Sequence, residues 1–309
     1  MVEGGMSLFN LLVSKTIMHV PGPIVGFFAK GYIAGEELKH AVAVTRELNG
    51  QGMMATIDIL GEFIKTKEEA TYFKGQCLEI LRGIDHEKID ANLSLKPTQL
   101  GLELDKEFAF ANIREIVALA AELDNFVRID MEDHPCTDDT LEFFRRLRKE
   151  FPGHVGVVLQ SYLRRTLDDI EHLSDGLLHF RLCKGIYNEP REIAYKDMAI
   201  INRSFVCCLD RMFEKGAYVG IATHDEKLVF EALQLIRKYD LKRDEYEFQM
   251  LLGVDPELRE IIVKQGHRLR VYVPFGKSWL PYSKRRLKEN PSIAKHALRQ
   301  MLGMKRHSA

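Results

Sequence analysis

Val271-Tyr-Val-Pro-Phe-Gly-Lys-Ser-Trp-Leu-Pro-Tyr-Ser-Lys-Arg-Arg-Leu-Lys-Glu289 runs from a β-branched strand, through Pro and Gly, into a basic helix. Counted at helical spacing from Tyr282, the side chains Tyr282, Arg285, Arg286 and Glu289 fall at i, i+3, i+4 and i+7 and share one face. Two guanidinium groups beside a ring and a carboxylate form a clamp for a small carboxylate, because Arg offers planar bidentate hydrogen bonds that Lys cannot reproduce. Taken alone, an Arg-Arg pair reads as a solvated helix face. The passage gains weight as the last of a series of strand-to-helix passages whose strand ends are nearly all polar.

Upstream, short apolar or β-branched runs alternate with longer helical patterns. The expected strands are Met54–Leu60, Ile89–Leu95, Phe126–Met131, Val155–Gln160, Leu177–Cys183, Tyr218–Thr223, Tyr246–Leu251 and Leu269–Val273. Glu107–Asp124 and Thr137–Phe151 exemplify the helices between them. Eight strands, seven intervening helices and one helix after the last strand is the count of a (β/α)8 barrel. A Rossmann sheet would want a Gly-rich first turn, and no G-x-G-x-x-G appears. Residues 1–50 read as two or three short helices flanking the barrel, which would occupy residues 51–309.

Composition narrows the classes. The chain has 309 residues, a length that α/β barrels reach as one domain, and 46% of them are hydrophobic, which excludes disorder. A formal charge of −1 argues against nucleic acid as the main partner. The five cysteines form no C-x-x-C pair and are odd in number, which fits free thiols in a reducing compartment. Cys207 and Cys208 read as buried helix residues. The apolar start lacks a basic leader and is broken by Lys15, His19, Pro21 and Pro23, so it does not read as a signal peptide. No stretch approaches the ~20 apolar residues of a spanning helix. A cytoplasmic protein is expected.

In a barrel of this kind the active site lies at the carboxyl ends of the strands. There the sequence places Lys96-Pro97-Thr98, Asp130-Met131-Glu132, Gln160-Ser161-Tyr162, Arg181 through Gly185, Thr223-His224-Asp225, Gln249 and Tyr272. Each residue alone has a plain structural reading: Lys96 as a surface lysine, Asp130 as a helix cap, His224 as a hydrogen-bonded loop residue. Together they describe a charged, water-accessible cup. Metal chemistry fits poorly, because His224-Asp225 lack a third ligand or an H-x-x-x-H spacing. No G-x-S-x-G elbow supports acyl transfer.

These blocks resemble the monofunctional proline dehydrogenases. The resemblance rests on Leu95-Lys96-Pro97, Arg128-Ile-Asp-Met-Glu132, Val158 through Thr166, Arg181 through Pro190, Ala222-Thr-His224, Phe248-Gln-Met-Leu251 and Tyr272-Val-Pro with Tyr282, Arg285, Arg286 and Glu289. It implies a distorted (β/α)8 barrel with FAD across the strand ends, oxidising L-proline to Δ1-pyrroline-5-carboxylate by hydride transfer from C5 to flavin N5. By resemblance, Arg285, Arg286 and Lys96 hold the proline carboxylate, while Tyr187, Leu182 and Tyr272 wall the pyrrolidine ring. Glu289 orients the clamp, and Asp130 pairs with Lys96 or Arg286. Arg181 matches the arginine beside flavin N5, Gln160 a ring contact and Met131 a neighbour of the isoalloxazine. Lys184, Gly185, Thr223 and His224 match the ribityl and pyrophosphate cradle. The resemblance also implies a quinone as electron acceptor, reached through peripheral membrane contact for which residues 6–30 are the candidate surface, and a pyrroline-5-carboxylate dehydrogenase downstream.

Two places depart from the family pattern. Asp225 follows Thr223-His224 where Asn is usual, adding negative charge near the expected phosphates. His134-Pro135-Cys136 occupies a loop that often carries Ser and an aromatic residue. Three other readings stand beside the main one: a Schiff-base enzyme using Lys96 or Lys184, a non-catalytic or DNA-binding barrel, and oxidation of hydroxyproline, against which the Tyr272 ring argues by crowding a substrate hydroxyl.

Overall fold

The structure is a computed structural model and describes residues 31–61, 64–280 and 283–284. Helix α1 (Leu38–Gly50) precedes eight strands: β1 (Met54–Ile59), β2 (Ala91–Leu95), β3 (Val127–Ile129), β4 (Val155–Gln160), β5 (His179–Cys183), β6 (Tyr218–Ala222), β7 (Tyr246–Leu251) and β8 (Leu269–Phe275). Between them lie α2 (Lys67–Glu87), α3 (Lys106–Glu122), α4 (Thr137–Glu150), α5 (Thr166–His172), α6 (Met198–Glu214), α7 (Glu226–Lys238) and α8 (Pro256–Lys264). All eight strands pair in parallel and in sequence order, and β8 closes on β1 with Met54 facing Arg270 and Ile59 facing Phe275. The expected (β/α)8 barrel is observed. The helix expected after β8 begins within the described residues, where Trp279, Leu280, Ser283 and Lys284 are helical and the Ser283 hydroxyl donates to the Trp279 carbonyl at 2.6 Å; its remainder falls outside them, as does most of the flanking segment before α1.

Alternate strand residues point to opposite faces. One set, including Ile57, Leu93, Ile129, Val157, Phe180 and Val271, is fully buried against the helices. Burial of this apolar layer supplies the main stabilisation, at about 25 cal/mol per Å² removed from water. The other set points into the barrel and is polar on six of the strands: Thr56 and Asp58, Asn92 and Ser94, Arg128 and Asp130, His179 and Arg181, Glu247 and Gln249, Arg270 and Tyr272, while β4 and β6 contribute the small or apolar Gly156, Val158, Gly220 and Ala222 beside Gln160 and Tyr218.

The lower part of this interior, near the strand starts, is a network of buried charge. Arg270 Nε and the Tyr218 hydroxyl each donate to Glu247 at 2.8 Å, and Arg270 Nη1 donates to the Ala55 carbonyl at 2.8 Å. Arg128 donates to the carbonyls of His179 at 2.7 Å and Val157 at 3.3 Å, and lies over the Phe126 ring. Gly156 makes room for it, since a Cβ there would meet the His179 carbonyl oxygen at 2.5 Å. A buried charge left unpaired is costly, so these residues depend on one another.

Asp105, Asp197, Asp225 and Asp255 cap α3, α6, α7 and α8 by accepting backbone N–H bonds. Such caps satisfy donors that a helix start leaves open. Asp225 and Asp255 follow the ends of β6 and β7 within four residues, so the N-termini of α7 and α8 lie on the cup side of the barrel. Cys208 is buried on α6 as expected, but Cys207 is exposed, because consecutive helical residues are about 100° apart.

Candidate active site

β1 and β2 deliver the first pair. Asp58, wholly buried, receives Lys96 Nζ on both carboxylate oxygens, at 2.7 and 2.9 Å. The same ammonium lies 3.5 Å from the Tyr272 hydroxyl and 3.9 Å from Asp130 Oδ2. Burial alone would lower its pKa, but Asp58 and then Asp130 outweigh that and push it above the usual lysine range. Lys96 is therefore a fixed cation at neutral pH, whereas a Schiff-base lysine needs a free amine. The other nucleophile candidate, Lys184, is ion-paired with Asp225 at 2.8 Å.

The centre of the cup is Asp130, just beyond β3. Its Oδ1 accepts from Arg181 Nη1 at 2.6 Å and from the Ser94 hydroxyl at 2.7 Å, and its Oδ2 accepts from Tyr272 at 2.9 Å. Arg181 Nη1 also reaches Ser94 at 3.2 Å, its Nε donates to the Gln249 carbonyl oxygen, and its guanidinium carbon is 5.4 Å from the Tyr272 ring centre. Four strands thus bring Lys96, Asp130, Arg181 and Tyr272 into one network. Asp130 pairs more closely with Arg181 than with Lys96, whose nearer partner is Asp58.

The residues expected to hold FAD lie around the adjoining rim. Gln160 is buried; its amide nitrogen donates to the carbonyls of Met131 at 3.4 Å and Glu132 at 3.3 Å, while its Oε1 has no hydrogen-bond partner among the described residues. A buried acceptor left open is costly unless a ligand N–H meets it. Met131 and Thr223 are buried, and Thr223 Oγ1 accepts the Asp225 N–H at 3.1 Å. His224 Nε2 accepts the Leu251 N–H at 2.8 Å, which ties the β6 end to β7. Gly185 has φ +104°, and a Cβ there would meet the Tyr162 ring at 2.7 Å or less, so the chain passes Tyr162 as only Gly allows. Asp225, the departure from the family pattern, caps α7 through Lys227 and binds Lys184. Burial would raise its pKa, but the Lys184 hydrogen bond and charge hold it below the usual carboxylate range. Its negative charge is thereby matched rather than left facing a phosphate. An open buried acceptor and a glycine-demanding turn fit a cofactor that brings a ring N–H to Gln160 and passes close to the backbone at Gly185.

The second departure is also occupied. His134 N–H and ring Nδ1 meet Glu189 at 2.8 and 2.5 Å, and Glu189 is buried in the loop that carries the half-buried Tyr187. Glu132 accepts from the Thr98 N–H and hydroxyl at 2.9 and 2.7 Å; burial raises its pKa. Leu182 follows Arg181 in β5 and is fully buried. Tyr282, Arg285, Arg286 and Glu289 lie outside the described residues. The sequence reading missed Asp58 and Ser94 and gave Glu247 no place. Their alternation with apolar neighbours, as in Thr56-Ile-Asp58-Ile, is the signal that would have found them. Among the described residues no group of three or more His, Cys, Asp or Glu could hold a metal ion.

A family model described as proline dehydrogenase matches residues 41–299. Proline dehydrogenase 1 of Bacillus subtilis is similar at 35% identity over 274 residues, 89% of this chain and 90% of that protein. The proline dehydrogenase of Deinococcus radiodurans is 34% identical over 278 residues, with the same coverage of each. Among solved structures, proline utilization A (PutA) from Bdellovibrio bacteriovorus, inactivated by N-propargylglycine, matches at TM-score 0.80 and 24% identity. That match covers 91% of this chain but 36% of the larger one, and speaks for the fold alone.

Proposed function

This chain belongs to the proline dehydrogenase family, and on that premise we propose that it oxidises L-proline to Δ1-pyrroline-5-carboxylate with FAD held across the strand ends. The observation that carries this reading is the convergence of Lys96, Asp130, Arg181 and Tyr272 on one cup beside the open acceptor of Gln160. Residues 51–309 form the catalytic barrel and residues 1–50 its flanking segment.

Lys96, fixed as a cation by Asp58, attracts the substrate carboxylate, and Arg285 and Arg286, oriented by Glu289, complete a bidentate clamp. Tyr272 and Tyr187 bound the ring, and the Tyr272 phenol is oriented by its bond to Asp130. Holding a small substrate at its far end in this way lowers the entropic part of the barrier. When bound, FAD supplies the acceptor for the hydride lost from proline C5. Arg181 presents fixed positive charge where the reaction develops negative charge. Gln160 offers its unpartnered carbonyl oxygen to a ring N–H, Met131 packs beside it, and Lys184, Gly185, Thr223 and His224 cradle the phosphate-bearing chain.

Electrons then pass to a quinone, with residues 6–30 as the surface for peripheral contact with the inner face of the membrane. Among the described residues no helix is long and apolar enough to cross a membrane. Loss of quinone-linked but not dye-linked turnover on deleting residues 6–30 would support that route. The direct test of the activity is the visible spectrum of the purified protein before and after anaerobic L-proline. A flavin spectrum that L-proline bleaches, and D-proline or hydroxyproline bleaches far less, is expected. A yellow protein indifferent to proline would discard the substrate, and a colourless one unable to take up FAD would discard the cofactor.

A further inference from the structure

Gln249 lies on β7, buried, and the reaction scheme above gives it no part. Both ends of its side chain are committed. The carbonyl oxygen accepts the Arg181 Nε–H, and the amide nitrogen donates to Glu247 Oε1. An amide has one accepting and one donating end, so its direction is fixed when one neighbour can only donate and the other can only accept. Arg181 can only donate. Glu247 can only accept while ionised, and the bonds from Arg270 and Tyr218 keep it so. Despite full burial its carboxyl is held down at about 2 by Arg270, Gln249 and Tyr218.

Packing removes the remaining freedom. Gly220 on β6 lies against the amide, and a Cβ there would meet Gln249 Cδ at 2.7 Å. The Arg181 guanidinium is consequently anchored from two sides: Nη1 by Asp130 and Ser94, and Nε by Gln249. One anchor fixes a point on a planar group; two on different edges fix its rotation as well.

We propose that Gln249, locked in direction by Glu247, is a positioning residue that sets the plane of the Arg181 guanidinium for the oxidation. The inference rests on the proposed reading, in which Arg181 faces the flavin. It gives the lower charge network a function in the cup: Arg270 orders Glu247, Glu247 orders Gln249, and Gln249 orders Arg181.

The test uses the holoenzyme with Gln249→Met, which keeps the side chain's length and removes both hydrogen bonds. The variant, Arg181→Met and the double variant are compared for L-proline kinetics, flavin midpoint potential and urea unfolding. For Gln249→Met, kcat is expected to fall about 10- to 100-fold, the range a misplaced catalytic group produces. KM should stay within about 2-fold, because the carboxylate clamp is untouched, and the midpoint potential should become more negative. In the Arg181→Met background the second substitution should lower kcat no further, since its effect runs through a group no longer present. Should the methionine variant fold poorly, Gln249→Asn, which withdraws the amide by one methylene, is expected to move kcat and potential in the same direction. Wild-type kcat and potential in the folded variants would overturn the proposal, as would losses that simply add to those of Arg181→Met. A wild-type protein that L-proline fails to bleach would instead sink the functional reading, a result visible before any variant is made.

Discussion

The floor and the mouth of the barrel are built from the same kind of residue, charged and buried on alternate strand positions, but they are anchored differently. On the floor, Arg270 and Arg128 donate to the carbonyls of Ala55, Val157 and His179, which are parts of the strands themselves, and Arg270 is held by the Glu247 carboxylate in addition. At the mouth, Lys96 and Arg181 are held by side chains: Asp58, Asp130, Ser94 and Gln249. A carbonyl anchor cannot move without disturbing the sheet. A carboxylate anchor can share its cation with an arriving ligand, and the mouth also keeps an open acceptor on Gln160. The contrast teaches that burial of charge serves rigidity below and readiness above.

The sharpest way to break this contrast is Arg270→Leu. It leaves Glu247 buried without its cation and should cost about 3–5 kcal/mol in urea unfolding, with much of the loss recovered when Glu247→Leu is added. Next is the mouth. Lys96→Met should lower kcat/KM for L-proline about 100-fold, with a smaller stability loss than Arg270→Leu, because Asp58 can take up a proton. Gly220→Ala should cost about 1–3 kcal/mol through the clash with Gln249. Gly75→Ala, on α2 with nothing near its Cβ direction, should instead stabilise by about 0.5–1 kcal/mol.

The pH dependence separates the two layers. Burial, then the charge of Arg128, pushes His179 down to about 4. Its stabilising contribution is complete above the unfolded histidine value near 6.5 and is lost as pH falls toward 4, by at most about 1.4 kcal/mol per pH unit. Glu247 follows, losing its contribution between the unfolded glutamate value near 4.3 and about 2. Lys96, raised, contributes fully below the unfolded lysine value near 10.4 and loses it only as pH climbs above that. Acid should therefore attack the floor and alkali the mouth. His179→Phe, which retains the ring between Phe126 and Tyr218, should flatten the thermal-melting slope between pH 6.5 and 4.

The barrel was legible because each strand-helix alternation carries its own boundary signals, and strand limits such as Val155–Gln160 and Tyr246–Leu251 agree with the reading. The mouth was legible where a charge ends a strand, as at Lys96, Asp130 and Arg181. Asp58 escaped because it lies one residue inside β1 between Ile57 and Ile59, in a run read as apolar. Glu247 escaped for the same reason, flanked by Tyr246 and Phe248. Period-two alternation ordinarily signals a sheet with one solvated face, and only closure turns that polar face inward. Which cation Asp130 would take was left between Lys96 and Arg286, since contacts across the barrel depend on its curvature and not on spacing along any strand.

The seam between β1 and β8 joins Met54 to Arg270, positions 216 apart in sequence. Contact order of this kind slows folding, because loop closure must precede the reward of pairing. During synthesis β1 therefore waits with an unpaired edge until β8 emerges, and so does Glu247 until Arg270 arrives. A nascent chain halted before β8 would expose two sheet edges and uncompensated charge, the state in which strand-edge aggregation competes with folding. Chaperone demand should accordingly peak late in translation and fall once the last strand zips the barrel shut.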